Sequence, residues 1–113
     1  MSVPTAIDPV EAVKKAFPQA VEDVVEYGGD TTLVLNPDYV PAVAKYLRDT
    51  PGLIYNFLSD ISAVDYYPDY NRPGRFGVSY HLLSMLYKRR LRLKVYLPED
   101  EPVVETVTGV WPG

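Results

Sequence analysis

The sequence of 113 residues contains no cysteine and one histidine. Without cysteine the chain cannot form a disulfide, ligate an iron–sulfur cluster through thiolates, build a thiolate zinc site or use a cysteine nucleophile. Long apolar runs are also missing, because the longest uncharged stretch, Phe76–Tyr87, falls well short of the ~20 apolar residues of a spanning helix. These absences exclude much redox and metal chemistry and predict no direct insertion into a membrane.

What is present is the composition of one folded domain. Hydrophobic residues make up 47% and charged residues 23% of the chain, as in ordinary globular proteins. We therefore predict a single α+β domain over residues 1–113. The first residues show neither a secretory signal nor a transit-peptide pattern, which favours a cytosolic location. The apolar segment that closes the sequence predicts that the chain is the N-terminal domain of a longer protein.

The net charge of −4 is unevenly distributed. Residues 1–69 are mainly acidic, residues 70–98 contain basic side chains and no acidic ones, and residues 99–113 contain only acidic ones. A local positive field in an acidic protein usually acts on association rather than on folding. The alternative is that these cations form the solvated face of an edge hairpin.

Three segments begin like helices. Asp8-Pro9 and Asn36-Pro37 each place a capping acceptor before a proline, and apolar residues follow with helical spacing. Pro41 leaves two possibilities for the second helix, an irregular first turn or a start near Val40. The acidic residues after Pro98 predict a last helix, because carboxylates favour a helix N-terminus.

Strands are predicted in two groups. The first is a hairpin that turns at Gly28-Gly29. The second contains a long strand, Ile54–Tyr66, with a bulge near Ser59-Asp60, and then two strands that alternate apolar and polar residues. The order α-β-β-α-β-β-β-α predicts an α+β two-layer sandwich, with helices packed on a mixed or antiparallel sheet.

Catalytic residues are not evident. His81 lies in mid-strand with no nucleophile motif beside it, which favours a structural histidine. Asp60 and Asp65 are five positions apart on one strand, so they should point to opposite faces rather than form a catalytic pair. A hydrolase that uses His81 and Asp65 remains a third functional hypothesis.

Arg90, Arg92, Lys94 and Tyr96 should lie on one face of the last strand. Such a face could contact phosphates and stack bases, so a single-stranded nucleic-acid-binding module is an alternative function. The acidic net charge opposes it.

Specific strings in the second half of the chain point to a family. They are Phe57–Tyr66, Arg75–Ser84, Arg89–Val95, Leu97–Val104 and Thr106–Pro112. In this order they resemble the 30-kilodalton subunit of respiratory complex I, which is the C subunit of bacterial NADH-quinone oxidoreductase and the J subunit in photosynthetic lineages. The resemblance covers residues 54–112. Family members continue into a Glu-Arg-Glu element, an Asp-x-x-Gly element and a tail that this sequence does not contain.

The resemblance implies a non-catalytic scaffold in the peripheral arm of the complex, on the cytoplasmic side of the membrane. FMN, the iron–sulfur clusters and quinone would be bound by other subunits, and no cofactor by this chain. The expected partners are the other peripheral-arm subunits, above all the 49-kilodalton subunit beside the quinone site, and nucleic acid is not expected.

A partner interface is predicted on the basic hairpin. We expect Arg89, Arg90, Arg92 and Lys94 to meet an acidic surface of a partner subunit. Val110 and Trp111 should lie against the part of the family sequence that follows.

Overall fold

The computed structural model of the protein describes residues 4–69 and 74–98. In chain order its elements are helix α1 (Pro9–Ala16), strands β1 (Val21–Tyr27) and β2 (Asp30–Leu35), a 3-10 turn (Pro37–Tyr39), helix α2 (Val40–Asp49), and strands β3 (Phe57–Asp65), β4 (Phe76–Ser84) and β5 (Arg89–Leu97). The predicted helix after Pro98 lies beyond the described residues. Neither α1 nor α2 is long and apolar enough to span a membrane.

The five strands form one sheet in the order β1-β2-β5-β4-β3. Strands β2 and β5 are parallel, and the other neighbours are antiparallel. Both helices pack on one side of this sheet, since Val13 of α1 and Val43 of α2 are buried in the same cluster as Leu33 and Leu93. The predicted α+β class, with helices on a mixed sheet, is confirmed.

Local capping explains where the helices begin. The Asp8 carboxylate accepts the Val10 N–H at 2.9 Å before α1. Asn36 accepts the Asp38 N–H at 3.0 Å before the 3-10 turn. Because Pro41 has no N–H for the carbonyl of Pro37, the first turn is 3-10 and the α-helix starts at Val40. Both features that Pro41 predicted are therefore present.

Strand β3 is shorter than the predicted Ile54–Tyr66. Ile54 has a φ of 44°, outside the range of a strand, and the Tyr55 N–H donates to the Leu47 carbonyl at 2.8 Å. The segment closes the end of α2, and Tyr55 packs in the core instead of pairing with β4. The register shift between Leu58 and Asp60 confirms the predicted bulge.

The alternation of residues along strand β5 shows which side chains lie on each face of the sheet. Leu91, Leu93, Val95 and Leu97 are buried beneath the helices, while the residues between them point to the opposite side. We call this opposite side the open face; by strand register it includes Asp23, Val25, Asp30, Thr32, Val34, Phe57, Asp60, Ser62, Val64, Gly77, Ser79, His81, Leu83, Arg90, Arg92, Lys94 and Tyr96.

Candidate docking face

Three cations form a row along the centre of the open face. Arg90, Arg92 and Lys94 alternate with buried residues on β5, which runs between β2 and β4. Within the described part of the chain, none of the three forms an ion pair with a carboxylate; ion pairs found there include Arg48 with Asp49 and Arg75 with Asp65. We call these three cations the basic row.

Arg92 is held by residues of both neighbouring strands. It lies opposite His81 of β4 and Thr32 of β2. Its Nε donates to His81 Nδ1 at 3.4 Å, and its Nη1 donates to Thr32 Oγ1 at 3.5 Å. Since an arginine can only donate, Nδ1 is the acceptor and the ring proton lies on Nε2. That nitrogen is 3.4 Å from the hydroxyl of Ser62 on β3.

Lys94 is held between two tyrosines. Its Nζ donates to the Tyr66 hydroxyl at 2.8 Å and lies 5.3 Å and 5.0 Å from the ring centroids of Tyr66 and Tyr96. Partial burial disfavours the charged form of Lys94. The hydrogen bond with Tyr66 and the electrostatic influence of both tyrosines outweigh that effect, and the pKa of Lys94 is raised above its ordinary value.

Gly77 makes this arrangement possible. Gly77 is a residue of β4 that lies opposite Tyr96 of β5, and the Tyr66 ring lies directly over it. A Cβ atom at position 77 would lie 2.7 Å from Tyr66 Cε2 and 3.0 Å from the Tyr66 hydroxyl. Only glycine leaves room for the ring in this position, so Gly77 positions Tyr66 toward Lys94.

Comparison with known proteins identifies the family. A sequence profile described as "Respiratory-chain NADH dehydrogenase, 30 Kd subunit" matches residues 33–113, which include both helical and sheet elements described above. The chain belongs to this family. The match extends over part of β2 and all of β4 and β5, and therefore includes the whole basic row.

Individual members of this respiratory-chain family are also similar in sequence to this chain. The C subunit of NADH-quinone oxidoreductase from Roseiflexus sp. (strain RS-1) is 39% identical, over 92% of this chain and 58% of that protein. Its counterpart from Roseiflexus castenholzii is 39% identical, over 97% of this chain and 60% of that protein. The chain thus spans less than two thirds of these relatives.

A solved structure has the same fold. It is the trypsin-resistant fragment (1-134) of Nqo5, which is 32% identical to this chain with a TM-score of 0.72. The alignment covers 92% of this chain and 82% of that fragment.

Arg89 does not belong to the basic row of this family member. It has the same strand parity as Leu91, so it lies on the helix side of the sheet. Its Nη1 donates to the Ile7 carbonyl at 2.8 Å and its Nη2 to the Gly52 carbonyl at 2.9 Å. The prediction that grouped Arg89 with the other three cations is corrected, because alternation along a strand sends neighbouring side chains to opposite faces.

The structure does not bring His81 and Asp65 together. His81 lies opposite Asp60, whereas Asp65 lies opposite Phe76, five positions away and therefore roughly 17 Å along the strand. Asp65 is instead bound by Arg75 through two contacts of 2.9 Å. This geometry contradicts the hydrolase hypothesis.

Two further carboxylates lie near the basic row. Asp30 and Asp60 border a hollow of about 360 Å³ beside Arg90 and Arg92, without an ion pair to either. Within residues 4–69 and 74–98, no group of three or more histidine, aspartate or glutamate residues could hold a metal. Val110 and Trp111 lie outside those ranges.

Sequence reasoning missed Thr32 and Tyr66 as neighbours of the basic row. Thr32 comes from a parallel strand far away in the chain, and no local pattern predicts that pairing. Tyr66 follows β3, and its parity with Ser62 and Val64 was a usable signal. Gly77, which lies opposite Val64 and beneath the Tyr66 ring, was the second signal, since an aromatic ring often covers a glycine on a neighbouring strand.

Proposed function

We propose that this chain is a non-catalytic scaffold subunit in the peripheral arm of a proton-pumping NADH:quinone oxidoreductase. It docks against the 49-kilodalton subunit near the quinone site, on the cytoplasmic side of the membrane. In that place it supports electron transfer from NADH to quinone. It binds neither FMN, iron–sulfur cluster nor quinone itself, and the other subunits supply those groups.

Membership of the respiratory-chain family carries this proposal. Two features of the described residues support it. The most polar constellation, His81 with Arg92 and Ser62, links strands and contains no activated nucleophile. The carboxylate of Asp60, opposite His81, accepts the Ile61 N–H. The basic row lacks ion-pair partners in the described part of the chain, as expected of a surface that another protein covers.

The alternative of single-stranded nucleic-acid binding is less well supported. Base stacking needs aromatic rings with accessible faces. Tyr66 and Tyr96 instead face Lys94, and their centroids lie 6.0 Å apart in a tilted pair. The aromatic side chains nearest to the basic row are therefore already engaged.

The proposal is tested in cells that lack this gene but carry the other subunits. The tagged chain, expressed from its own gene, should recover the 49-kilodalton subunit and restore NADH-dependent quinone reduction by membranes. A tagged α+β domain of similar size from another family is the control. Recovery of the chain alone, together with normal quinone reduction in its absence, would contradict the proposal.

A further inference from the structure

We propose that the open face is the docking surface of this chain and that its occupant is an acidic amphipathic helix of a partner subunit. This inference rests on the proposed function and adds to it which surface is used and which chemistry is recognised. Carboxylates of the helix would meet the basic row, and its apolar side chains would cover the exposed apolar residues beside that row.

Charge is the first argument for this occupant. The basic row concentrates three positive charges on the central strand of a protein whose net charge is −4. No carboxylate of the described residues neutralises them through an ion pair. Asp23, Asp30 and Asp60 lie on the same face, on the strands β1, β2 and β3, without an ion pair to the basic row. The centre of the face therefore suits carboxylates of a partner placed directly over β5, because complementary potentials both speed encounter and set register.

Order within the basic row is the second argument. Arg92 is held by His81 and Thr32, and Lys94 is held by Tyr66 and Tyr96. Long cationic side chains lose considerable rotamer freedom when they are immobilised at an interface. Here the protein's own contacts have already restricted two of the three, so a partner would lose less entropy on binding.

The apolar surroundings are the third argument. Val25 on β1 is 45% exposed, and Val64 and Phe57 on β3 are 49% and 48% exposed. All three lie on the open face, at its two edges, with the basic row between them. A basic centre with these apolar side chains at the edges of the face fits a segment that is itself amphipathic.

The spacing of the basic row is compatible with a helix, and a helix is the element that usually covers a sheet face. Alternate residues of a strand repeat at about 6.8 Å, whereas residues i and i+4 of a helix repeat at about 6 Å. Carboxylates at i, i+4 and i+8 can therefore follow Arg90, Arg92 and Lys94 when the helix runs along β5. The shallow hollow of about 410 Å³ along this strand offers a place for it. Helices on both faces of a sheet are a common way to cover it.

The test compares two double charge reversals in the full chain, in cells that carry the other subunits. The test variant is Arg90→Glu with Arg92→Glu. The control is Lys14→Glu with Lys15→Glu, which makes the same change in net charge on the exposed side of α1. Recovery of the 49-kilodalton subunit is measured for each at two salt concentrations, and thermal unfolding of each purified chain reports on its folding.

We expect the test variant to recover at least about tenfold less partner than the natural chain, since like charges that face each other at an interface strongly oppose binding. The control should recover normal amounts. Equal recovery by all three chains would overturn this inference and leave the proposed function intact. An equal loss of 49-kilodalton subunit recovery in both variants would also overturn the inference, because net charge rather than the open face would then determine binding. Failure of the natural chain would instead overturn the proposed function.

A second measurement covers the case in which the test variant unfolds. A photo-crosslinking residue in place of Val25, on the open face, should capture a peripheral-arm peptide with carboxylates at i and i+4 spacing. The same residue in place of Ala16, exposed on α1, should not. Capture of residues 99–105 of this chain itself would overturn the inference. Binding of single-stranded RNA at physiological salt is the last outcome to check. The inference would also be overturned if the test variant lost that binding and still recovered normal amounts of the 49-kilodalton subunit.

Discussion

The Nζ atom of Lys94 lies 2.8 Å from the Tyr66 hydroxyl, and the ring that brings this hydroxyl into place lies over Gly77. A residue without a side chain thus determines where a cation stands on the open face. The relationship joins three separate parts of the chain, namely the end of β3, the start of β4 and the second half of β5.

Replacing Gly77 with alanine should destabilise the protein. Glycine to alanine at an unstrained position usually stabilises by about 0.4–1 kcal/mol, because it restricts the unfolded chain. Here the methyl group would meet Tyr66 Cε2 at 2.7 Å, and displacement of the ring should cost about 1–3 kcal/mol. Urea denaturation measures the difference. Ser79→Ala, on the same strand and face, is the control and should change little.

Removing the Tyr66 hydroxyl should lower the pKa of Lys94. Tyr66→Phe keeps the ring but removes the oxygen that accepts from Nζ and raises that pKa. NMR titration of the lysine side chain measures the change. The natural protein, titrated under the same conditions, is the reference. An unchanged Lys94 titration would show that the hydroxyl does not act on the ammonium.

Arg89 should matter for stability rather than for docking. Its guanidinium donates to the carbonyls of Ile7 and Gly52 and lies 5.6 Å from the centroid of the Tyr55 ring. Arg89→Met leaves both carbonyls without these donors and should cost about 1–3 kcal/mol of unfolding free energy. Hydrogen exchange at the Ile7 N–H, which donates to the Gly52 carbonyl, should become faster.

The matched control for this change is Arg90→Met on the same strand. Arg90 is exposed and makes no ion pair with the described residues, so its replacement should change stability by no more than about 0.5 kcal/mol. Recovery of the 49-kilodalton subunit should show the opposite pattern to stability. It should fall for Arg90→Met and stay near normal for the folded fraction of Arg89→Met. Equal effects of the two variants on stability would contradict the separation of their roles.

Asp65 should make stability depend on acid pH. The hydrogen bonds from the Arg75 guanidinium and the Tyr67 N–H lower the pKa of the Asp65 carboxyl to about 2. A folded-state pKa below the unfolded value of about 3.9 means that ionised Asp65 stabilises the native state at neutral pH. That contribution is lost as the pH falls from about 4 toward 2.

Asp65→Asn tests this dependence. The variant should unfold at a lower temperature than the natural protein at pH 7, and the gap should narrow as the pH falls from about 5 to 2. Glu22→Gln, exposed on β1, should show no comparable narrowing. A gap that stays constant over this range would mean that the Arg75 pairing does not depend on ionised Asp65.

Much of the local structure was predictable because its causes are local. Asp8 and Asn36 cap the elements that follow them, and Pro41 shifts the start of α2 to Val40. Alternation along β5 predicted that Arg92 and Lys94 share a face. The predicted start of β3 was wrong, because Ile54 belongs to an apolar run that resembles a strand but follows the end of helix α2.

The sequence by itself determined the family, the α+β class, the helix caps and the parity of each strand. These depend on residue types a few positions apart, through side-chain caps and the two-residue repeat of a strand. Only the tertiary structure decided that β2 lies parallel beside β5 and brings Thr32 to Arg92, and that Arg89 reaches a carbonyl 82 residues away. Such contacts depend on how distant segments pack around a common core, which no short pattern in the chain encodes.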